Sequence, residues 1–303
     1  MEKAKRVVWR LLAASVCVMA VSQAVHADSL DEQRNRYAQI KQAWDNKQMD
    51  TVQALMPTLK DYPLYPYLEY RQITDDLMNQ PTVTVNNFIQ ANPTLPPART
   101  LKSRFVNELA RREDWRGLLA FSPDKPGATE AQCNYYYAKW AIGQQEEAWA
   151  GAKELWLTGK SQPNACDPLF SAWRASGKQD PLAYLERIRL AMKAGNTRLV
   201  TVLAGQMPAD YQTIASAVIS LANDPNTVLT FARTTGATDF TRQMAAVAFA
   251  SVARDDVENA RLMIPQLVQA QQLNDDQTQE LRDIVAWRLM GTDVTDEQAR
   301  WRD

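Results

Sequence analysis

Apolar residues recur along this chain at helical spacing, and almost no segment alternates as a strand does. The segment 239–254 has the i, i+3, i+4, i+7, i+8 pattern of an amphipathic helix at Met244, Val247, Ala248, Ser251 and Val252. The segment 281–289 repeats this pattern, with Arg288 as the exception. The strand-like run at 82–85, Thr-Val-Thr-Val, is too short to form a sheet. The pattern therefore predicts an all-α protein.

Some of the predicted helices have well-marked ends. Asp180 is placed to cap a helix that has Pro181 in its first turn and Gly195 just beyond its end. Near the end of the chain, Thr295-x-x-Gln298 has the form of a capping box and predicts a further helix. Because a domain seldom ends by starting a new amphipathic helix, we expect this chain to be the N-terminal part of a longer protein.

The breaks between helices recur at similar intervals. Pairs of turn-forming residues fall 33, 34, 30 and 34 residues apart, at 46–47, 79–80, 113–114, 143–144 and 177–178. Such spacing is typical of helical hairpins stacked as a solenoid. The tetratricopeptide consensus is not met, and the phase is lost beyond Gly177. We therefore expect an irregular superhelix of helical hairpins, with a globular bundle as the alternative.

The N-terminal segment has the features of a secretory signal peptide. Four basic residues lie within positions 1–10, a largely apolar stretch runs from 11 to 25, and small residues precede Asp28. The apolar stretch is shorter than the about twenty residues that a membrane span needs. We expect residues 1–27 to be removed, which predicts a periplasmic protein with no membrane anchor. A retained anchor is the alternative.

Loss of residues 1–27 restricts the chemistry that the chain can support. It removes the only histidine, His26, and changes the count from 34 basic and 35 acidic residues to 30 and 34. Without histidine there is no Ser-His-Asp triad, no Cys-His pair and no HExxH zinc site. A mildly acidic exported chain is also a poor match for nucleic acid. We expect no cofactor, no metal and no nucleic-acid partner.

Two cysteines, Cys133 and Cys166, remain outside the predicted signal peptide. In an oxidising compartment they can form one intramolecular disulfide. Closing a loop of about 34 residues would stabilise the fold by about 3–4 kcal/mol in the chain-entropy model. The alternatives are two unpaired buried thiols or a redox-active role, although the two residues do not form a CxxC motif.

Aromatic and basic residues supply candidate contacts with a sugar polymer. Four tyrosines fall within 62–70, and three more follow Cys133 directly after Asn134. A flat ring with a polar tip can stack on a sugar and hydrogen-bond to its hydroxyls, and arginines near a helix end could meet an anionic polymer. Core packing and a solvated helix face are the alternatives. The candidate contact residues are Tyr62, Tyr65, Tyr135, Tyr136, Arg112 and Arg116.

Several stretches are long and distinctive: Asp-Ser-Leu-Asp-Glu-Gln-Arg at 28–34, Tyr-Pro-Leu-Tyr-Pro-Tyr-Leu-Glu-Tyr-Arg at 62–71, Phe-Val-Asn-Glu-Leu-Ala-Arg-Arg-Glu-Asp-Trp-Arg at 105–116, the run around Cys133, and Ala-Tyr-Leu-Glu-Arg-Ile-Arg-Leu at 183–190. Together they resemble the N-terminal part of the soluble lytic murein transglycosylases of Gram-negative bacteria. The resemblance is collinear and covers essentially all 303 residues.

This resemblance implies a periplasmic lyase that cleaves the MurNAc–GlcNAc bond of peptidoglycan without water and leaves 1,6-anhydro-muropeptides. In that family a U-shaped superhelix closes into a ring with a linker domain, and a lysozyme-like C-terminal domain holds one catalytic glutamate followed by serine. None of the thirteen glutamates here is followed by serine, so we expect no catalytic residue in this chain. Cys133 and Cys166 match the disulfide-forming positions of the family.

The expected arrangement is a signal peptide at 1–27 and a right-handed-type, ring-forming α-superhelix over 28–303, truncated at its C-terminal end. Its expected partners are peptidoglycan glycan strands and its own downstream linker and lysozyme-like catalytic domain. We expect the fragment alone to be inactive. One alternative is a stand-alone periplasmic scaffold that binds a protein partner. Another is an α-helical toroid enzyme that uses carboxylates or tyrosine on a polysaccharide.

Overall fold

The computed structural model describes residues 29–207, 209–290 and 293–302, and every regular element within these ranges is helical. The all-α class predicted from the apolar spacing is therefore confirmed. The predicted signal peptide lies outside the described residues. The strand-like run at 82–85 forms the first turn of a helix, because Pro81 precedes it and Val85 and Phe88 face the core.

The helices follow one another through short turns. They are α1 (29–45), α2 (Met49–Leu55), α3 (Tyr65–Asp75), α4 (Thr82–Ala91), α5 (Pro96–Arg111), α6 (Trp115–Phe121), α7 (Thr129–Ala141), α8 (Gln145–Trp156), α9 (Asp167–Ala175), α10 (Pro181–Lys193), α11 (Thr197–Gly205), α12 (Gln212–Asn223), α13 (Val228–Thr234), α14 (Asp239–Asp255), α15 (Val257–Gln271), α16 (Asp275–Leu289) and α17 (Asp296–Arg302). Short 3-10 turns occur at Met56–Leu59, Leu77–Asn79, Asn164–Cys166, Ala209–Tyr211 and Pro225–Thr227.

Helix ends predicted from the sequence agree with the structure. Asp180 accepts a hydrogen bond from the Leu182 N–H at 2.9 Å and caps α10, and Gly195 follows the end of that helix at φ +69°. At α17 the backbone N–H of Thr295 donates to Gln298 Oε1 at 3.0 Å, and the Gln298 N–H donates to Thr295 Oγ1 at 3.2 Å. This is the reciprocal pattern of a capping box.

The chain divides into two compact units, one ending at Glu108 and the other beginning at Leu109. This border lies inside α5 and not at a flexible linker, which agrees with the absence of a Pro/Gly/Ser-rich linker from the sequence. One superhelical domain over 28–303 stays a prediction.

The first unit packs α1 against α3 around Trp44. The indole Nε1–H of Trp44 donates to Asp75 Oδ2 at 2.7 Å, and the Arg71 guanidinium lies 4.9 Å from the centre of its ring. Arg71 also forms an ion pair with Asp45 at 2.9 Å. The polar atom of the indole is therefore satisfied, and its ring supports a cation–π contact.

Trp156 joins three helices in the second unit. Its ring on α8 lies 5.0 Å from Phe170, 6.2 Å from Trp173 and 5.2 Å from Tyr184, measured between ring centroids. Its indole N–H donates to the Ala183 carbonyl at 3.0 Å. Since Phe170 and Trp173 lie on α9 and Tyr184 on α10, this side chain determines how α8, α9 and α10 pack.

A single turn geometry closes several helical hairpins. After α1, α5, α7 and α10 one residue adopts a left-handed conformation, and the next has φ between −87° and −85° and ψ between 65° and 71°. The left-handed residues are Lys47, Glu113, Gly143 and Gly195. The N–H groups of the following residues, Gln48, Asp114, Gln144 and Asn196, donate to carbonyls five positions back at 2.8–3.0 Å. This is the Schellman pattern, which ends one helix where the next begins.

The left-handed position predicts opposite effects for two substitutions. Glu113→Gly should raise the free energy of unfolding by about 0.5–1 kcal/mol, because glycine has no Cβ to strain at φ +57°. Gly143→Ala should lower it by about 1 kcal/mol through the backbone alone, since an added Cβ meets nothing within 4 Å. Urea unfolding of the chain lacking residues 1–27 measures both.

The matched control for this turn prediction is Glu146→Gly, which places the same substitution inside α8. That variant should be destabilised by up to about 1 kcal/mol, because glycine is unfavourable within a helix. If both Glu→Gly variants changed stability in the same direction, the turn would not be strained at Glu113.

The structure joins Cys133 on α7 to Cys166 in the 3-10 turn before α9, with a Cα–Cα distance of 4.9 Å. Both residues are fully buried, so this covalent link belongs to the core of the second unit. It ties two segments that are 33 residues apart in the sequence.

The double substitution Cys133→Ala with Cys166→Ala should lower the free energy of unfolding by about 3–4 kcal/mol, because the unfolded chain regains the entropy of the open loop. Denaturant unfolding with and without dithiothreitol measures the effect. Reductant should destabilise the parent chain and leave the double variant unchanged. Equal stability of the oxidised and reduced parent would contradict a stabilising bridge.

Candidate functional site

Tyr62 and Tyr135 are core residues, each 7% exposed. The Tyr62 ring packs 5.4 Å from that of Tyr37, and the Tyr135 hydroxyl donates to the Pro123 carbonyl at 3.2 Å. Burial leaves little of either side chain at the surface, and glycan contact by these two tyrosines stays a prediction. Their sequence neighbourhood gave no indication of which face of each helix would be buried.

Tyr65 and Tyr136 are half-buried and keep part of their rings at the surface. The Tyr136 ring lies against the backbone of α8 at Gly151, where an added Cβ would overlap it. Burial is the main cause that raises the pKa of both phenols. One face of the Tyr136 ring is thus already occupied, and sugar contact by these two residues stays a prediction.

Arg112 and Arg116 lie on either side of the turn between α5 and α6, Arg112 half-buried and Arg116 exposed. Beside them the structure forms an aromatic strip, defined as the half-buried rings of Trp115, Tyr137 and Trp140. Successive ring centroids in this strip are 5.0 Å apart. Its two tryptophans were not among the residues predicted from the sequence, and contact of the two arginines with glycan stays a prediction.

A concave site with a volume of about 590 Å³ lies in the second unit. It is lined by the C-terminal end of α10, by α14 and by α16, and we call it the cationic groove. Five basic side chains line it, against the carboxylates of Asp239 and Glu280: they are Arg189, Lys193, Arg242, Arg254 and Arg288. Small apolar and neutral polar groups complete its lining, among them Ala245, Ala246, Ala250, Gln243, Ser251 and Gln277.

Three of the five cations in the groove have an acidic partner. Arg189 makes two hydrogen bonds to the Glu186 carboxylate, which lower the pKa of that carboxyl. Arg242 pairs with Asp239 at 3.2 Å, and Arg254 pairs with Asp255 at 3.3 Å.

The remaining two cations, Lys193 and Arg288, are exposed and form no ion pair with any residue that the structure describes. The groove therefore keeps positive charge that is not neutralised from within.

A buried hydrogen-bond network under the groove positions α14. The Gln271 side chain is fully buried, accepts from the Thr241 hydroxyl at 2.9 Å, and donates to the Ala232 carbonyl at 2.8 Å. Its backbone carbonyl accepts from Arg242 Nε at 2.9 Å. Because buried polar groups need partners, this network holds α13, α14 and α15 in one arrangement and orients Arg242.

Another buried cation serves the core and not the groove. Arg187 on α10 is 4% exposed, lies 4.3 Å from the ring centroid of Trp156 and 5.4 Å from that of Phe170, and its Nε has no hydrogen-bond partner. Burial lowers the pKa of this guanidinium to about 10. The cation therefore destabilises the folded state below about pH 10, and this cost fades as pH rises above that value, because the folded state then loses the proton before the unfolded state does.

Arg187→Met should raise the free energy of unfolding by about 1 kcal/mol or more at pH 7, because it removes a buried charge and keeps the packing volume. Arg187→Lys should lower it, since it keeps the charge and loses the planar stacking. Denaturant unfolding measures both, and the advantage of the methionine variant should shrink above pH 10. A methionine variant less stable than the parent at pH 7 would contradict this account.

No three His, Cys, Asp or Glu side chains in the described ranges are arranged to hold a metal ion. Within those ranges, no helix has both the length and the apolar character to cross a membrane. The described fold is an α-helical hairpin scaffold with a groove lined mainly by basic side chains.

Comparison with known proteins identifies the family of this scaffold. The chain is 86% identical over 303 residues to the soluble lytic murein transglycosylase of Escherichia coli strain K12 and 81% identical to that of Salmonella typhimurium strain LT2. Each match covers 100% of this chain and 47% of the relative. No family model matches the chain.

Solved structures agree with the sequence matches. The crystal structure of the 70 kDa soluble lytic transglycosylase from E. coli matches with a TM-score of 0.86 and 89% identity over 90% of this chain and 44% of that chain. An inactive mutant of the lytic transglycosylase Slt from Pseudomonas aeruginosa matches with a TM-score of 0.73 and 29% identity, over 84% of this chain and 41% of that chain.

The chain belongs to the soluble lytic murein transglycosylase family, which confirms the resemblance seen in the sequence. It spans about half the length of the curated relatives that it matches. The superhelical fold class is confirmed with it.

Proposed function

We propose that this chain is the N-terminal scaffold part of a periplasmic lytic transglycosylase that cleaves the MurNAc–GlcNAc bond of peptidoglycan to 1,6-anhydro-muropeptides. The observation that carries the proposal is the 86% identity over all 303 residues to a soluble lytic murein transglycosylase twice as long. In this proposal residues 1–27 direct export, and the linker and the lysozyme-like domain with the catalytic glutamate lie downstream.

The carboxylates of this chain support a scaffold role. Cleavage of a glycosidic bond needs a carboxyl group with a raised pKa at the leaving oxygen. Burial raises the pKa of Glu69, but this residue is followed by Tyr70 and not by the serine of the family. None of the thirteen glutamates has the Glu-Ser sequence of the family. The chain therefore shapes the ring and guides glycan strands, and Tyr65, Tyr136, Arg112 and Arg116 are its candidate contacts.

A stand-alone scaffold that binds a protein partner is the second candidate, and one surface favours it. Trp287 and Met290, near the end of α16, are 69% and 54% exposed. Large apolar side chains at this exposure are typical of a surface that another protein covers. The same surface could also serve the downstream part of a transglycosylase, so it does not displace the first proposal.

The chain lacking residues 1–27 should bind purified sacculi and release no anhydro-muropeptides. A pelleting assay measures binding, and chromatography of the supernatant measures release, with the full-length E. coli enzyme as the positive control. Sustained release that is lost when a carboxylate of this chain is replaced would overturn the scaffold assignment. Absence of the chain from the sacculus pellet would overturn the guiding role.

A further inference from the structure

The lining of the cationic groove has more basic than acidic side chains, unlike the chain as a whole. Without residues 1–27 the chain has 30 basic and 34 acidic residues, yet five basic and two acidic side chains line this groove. Because exposed charges act over about 8 Å at physiological ionic strength, local charge and not net charge decides what enters. Glu186 and Asp255 pair with two of the lining arginines, and Asp276 and Asp283 line an adjoining concavity that also includes Arg288. The groove is therefore positive only where cations have no ion-pair partner.

Arg189 and Arg242 point into the groove from fixed positions. Glu186 holds Arg189 through two hydrogen bonds, while Asp239 and the Gln271 carbonyl hold Arg242. Guanidinium groups fixed in this way lose little entropy when they bind a carboxylate.

Lys193 and Arg288 lie at the ends of α10 and α16 and have no acidic partner in the described ranges. A cation in the last turn of a helix complements the helix dipole, and this explains why Lys193 and Arg288 each occur at a helix end. It does not account for their convergence on one groove. These two side chains are thus the cations without an ion-pair partner that an anionic ligand would contact first.

The rest of the lining selects among anionic ligands. Ala246 and Ala250 on α14 supply small apolar groups, and the Gln243 amide can donate to and accept from a peptide backbone. The Gln277 oxygen accepts the Asn274 N–H at 3.0 Å in the capping box of α16, and its amide nitrogen remains as a donor. A volume of about 590 Å³ falls within the 300–1,000 Å³ that is typical of sites for small ligands. A groove of this size and composition fits a short carboxylated peptide better than a long phosphate polymer.

We propose that the cationic groove binds the peptide stems of peptidoglycan through their free carboxylates. This inference rests on the proposed function, since it assigns the part of the same substrate that this chain recognises. In peptidoglycan the lactyl carboxyl of each MurNAc is amide-linked to its peptide, so the negative charge lies on the peptide and not on the sugar backbone. Lys193 and Arg288 recognise that charge, and the amides of Gln243 and Gln277 recognise the peptide groups.

The test compares a soluble muropeptide that has free peptide carboxylates with the same compound converted to carboxamides. The parent chain lacking residues 1–27 should bind the carboxylate form about tenfold more tightly in isothermal titration calorimetry, as expected for two partly exposed ion pairs. The double variant Lys193→Gln with Arg288→Gln should bind the carboxylate form about tenfold more weakly than the parent.

The matched control is Arg198→Gln with Arg282→Gln, which removes two exposed cations that do not line the groove. This control should keep the parent affinity within about twofold. Equal binding of the carboxylate and carboxamide forms would overturn the proposal, as would equal loss in the two double variants. Tighter groove-dependent binding of duplex DNA or of anionic phospholipid vesicles would also overturn it.

Sacculus pelleting separates failure of this inference from failure of the proposed function. If intact sacculi pellet the chain but the soluble muropeptide does not bind, the groove assignment is wrong and the scaffold role stands. If neither binds, both are wrong. Binding of the muropeptide that depends on Lys193 and Arg288 supports the inference directly.

Discussion

The reversal of the chain within a few residues is the constraint on which the rest of this structure depends. A left-handed residue stops each of α1, α5, α7 and α10, and the next residue begins the following helix. Because the turn is short, consecutive helices lie antiparallel, and each apolar face must meet its neighbour. Lys47 and Glu113 occupy this position although a side chain is strained there by about 1–2 kcal/mol. Their presence indicates that close hairpin packing offsets the strain.

Long side chains then connect one hairpin to the next. Trp156 contacts α9 and α10 from α8, and the Gln271 amide binds both Thr241 and the Ala232 carbonyl. These connections hold α14 in place beneath the cationic groove, and Arg242 is oriented by the same Gln271. The groove is therefore a consequence of hairpin packing, and its charge comes from surface positions that the packing leaves free.

Local signals in the sequence predicted local structure well. Asp180 and Gly195 marked the limits of α10, and Thr295 and Gln298 marked the start of α17, because a cap depends only on residues a few positions apart. The groove could not be predicted in this way, since Arg189 and Arg288 come together only through tertiary packing. Three consecutive tyrosines likewise did not indicate which of them would be buried. The lytic transglycosylase activity was predicted only from the resemblance to a known family.

Binding of peptide stems, as proposed above, has a mechanistic consequence within the proposed transglycosylase function. A scaffold that holds peptide stems keeps the attached glycan strand near a downstream catalytic domain, which raises the effective concentration of the scissile bond without any new contact to it. Binding energy from groups remote from the reacting bond can also be used to position that bond. Under this proposal, Lys193 and Arg288 of the groove lining recognise peptide charge, while cleavage of the sugar linkage takes place elsewhere in the enzyme. The proposed role of this chain in the reaction is therefore substrate recognition and needs no catalytic glutamate of its own.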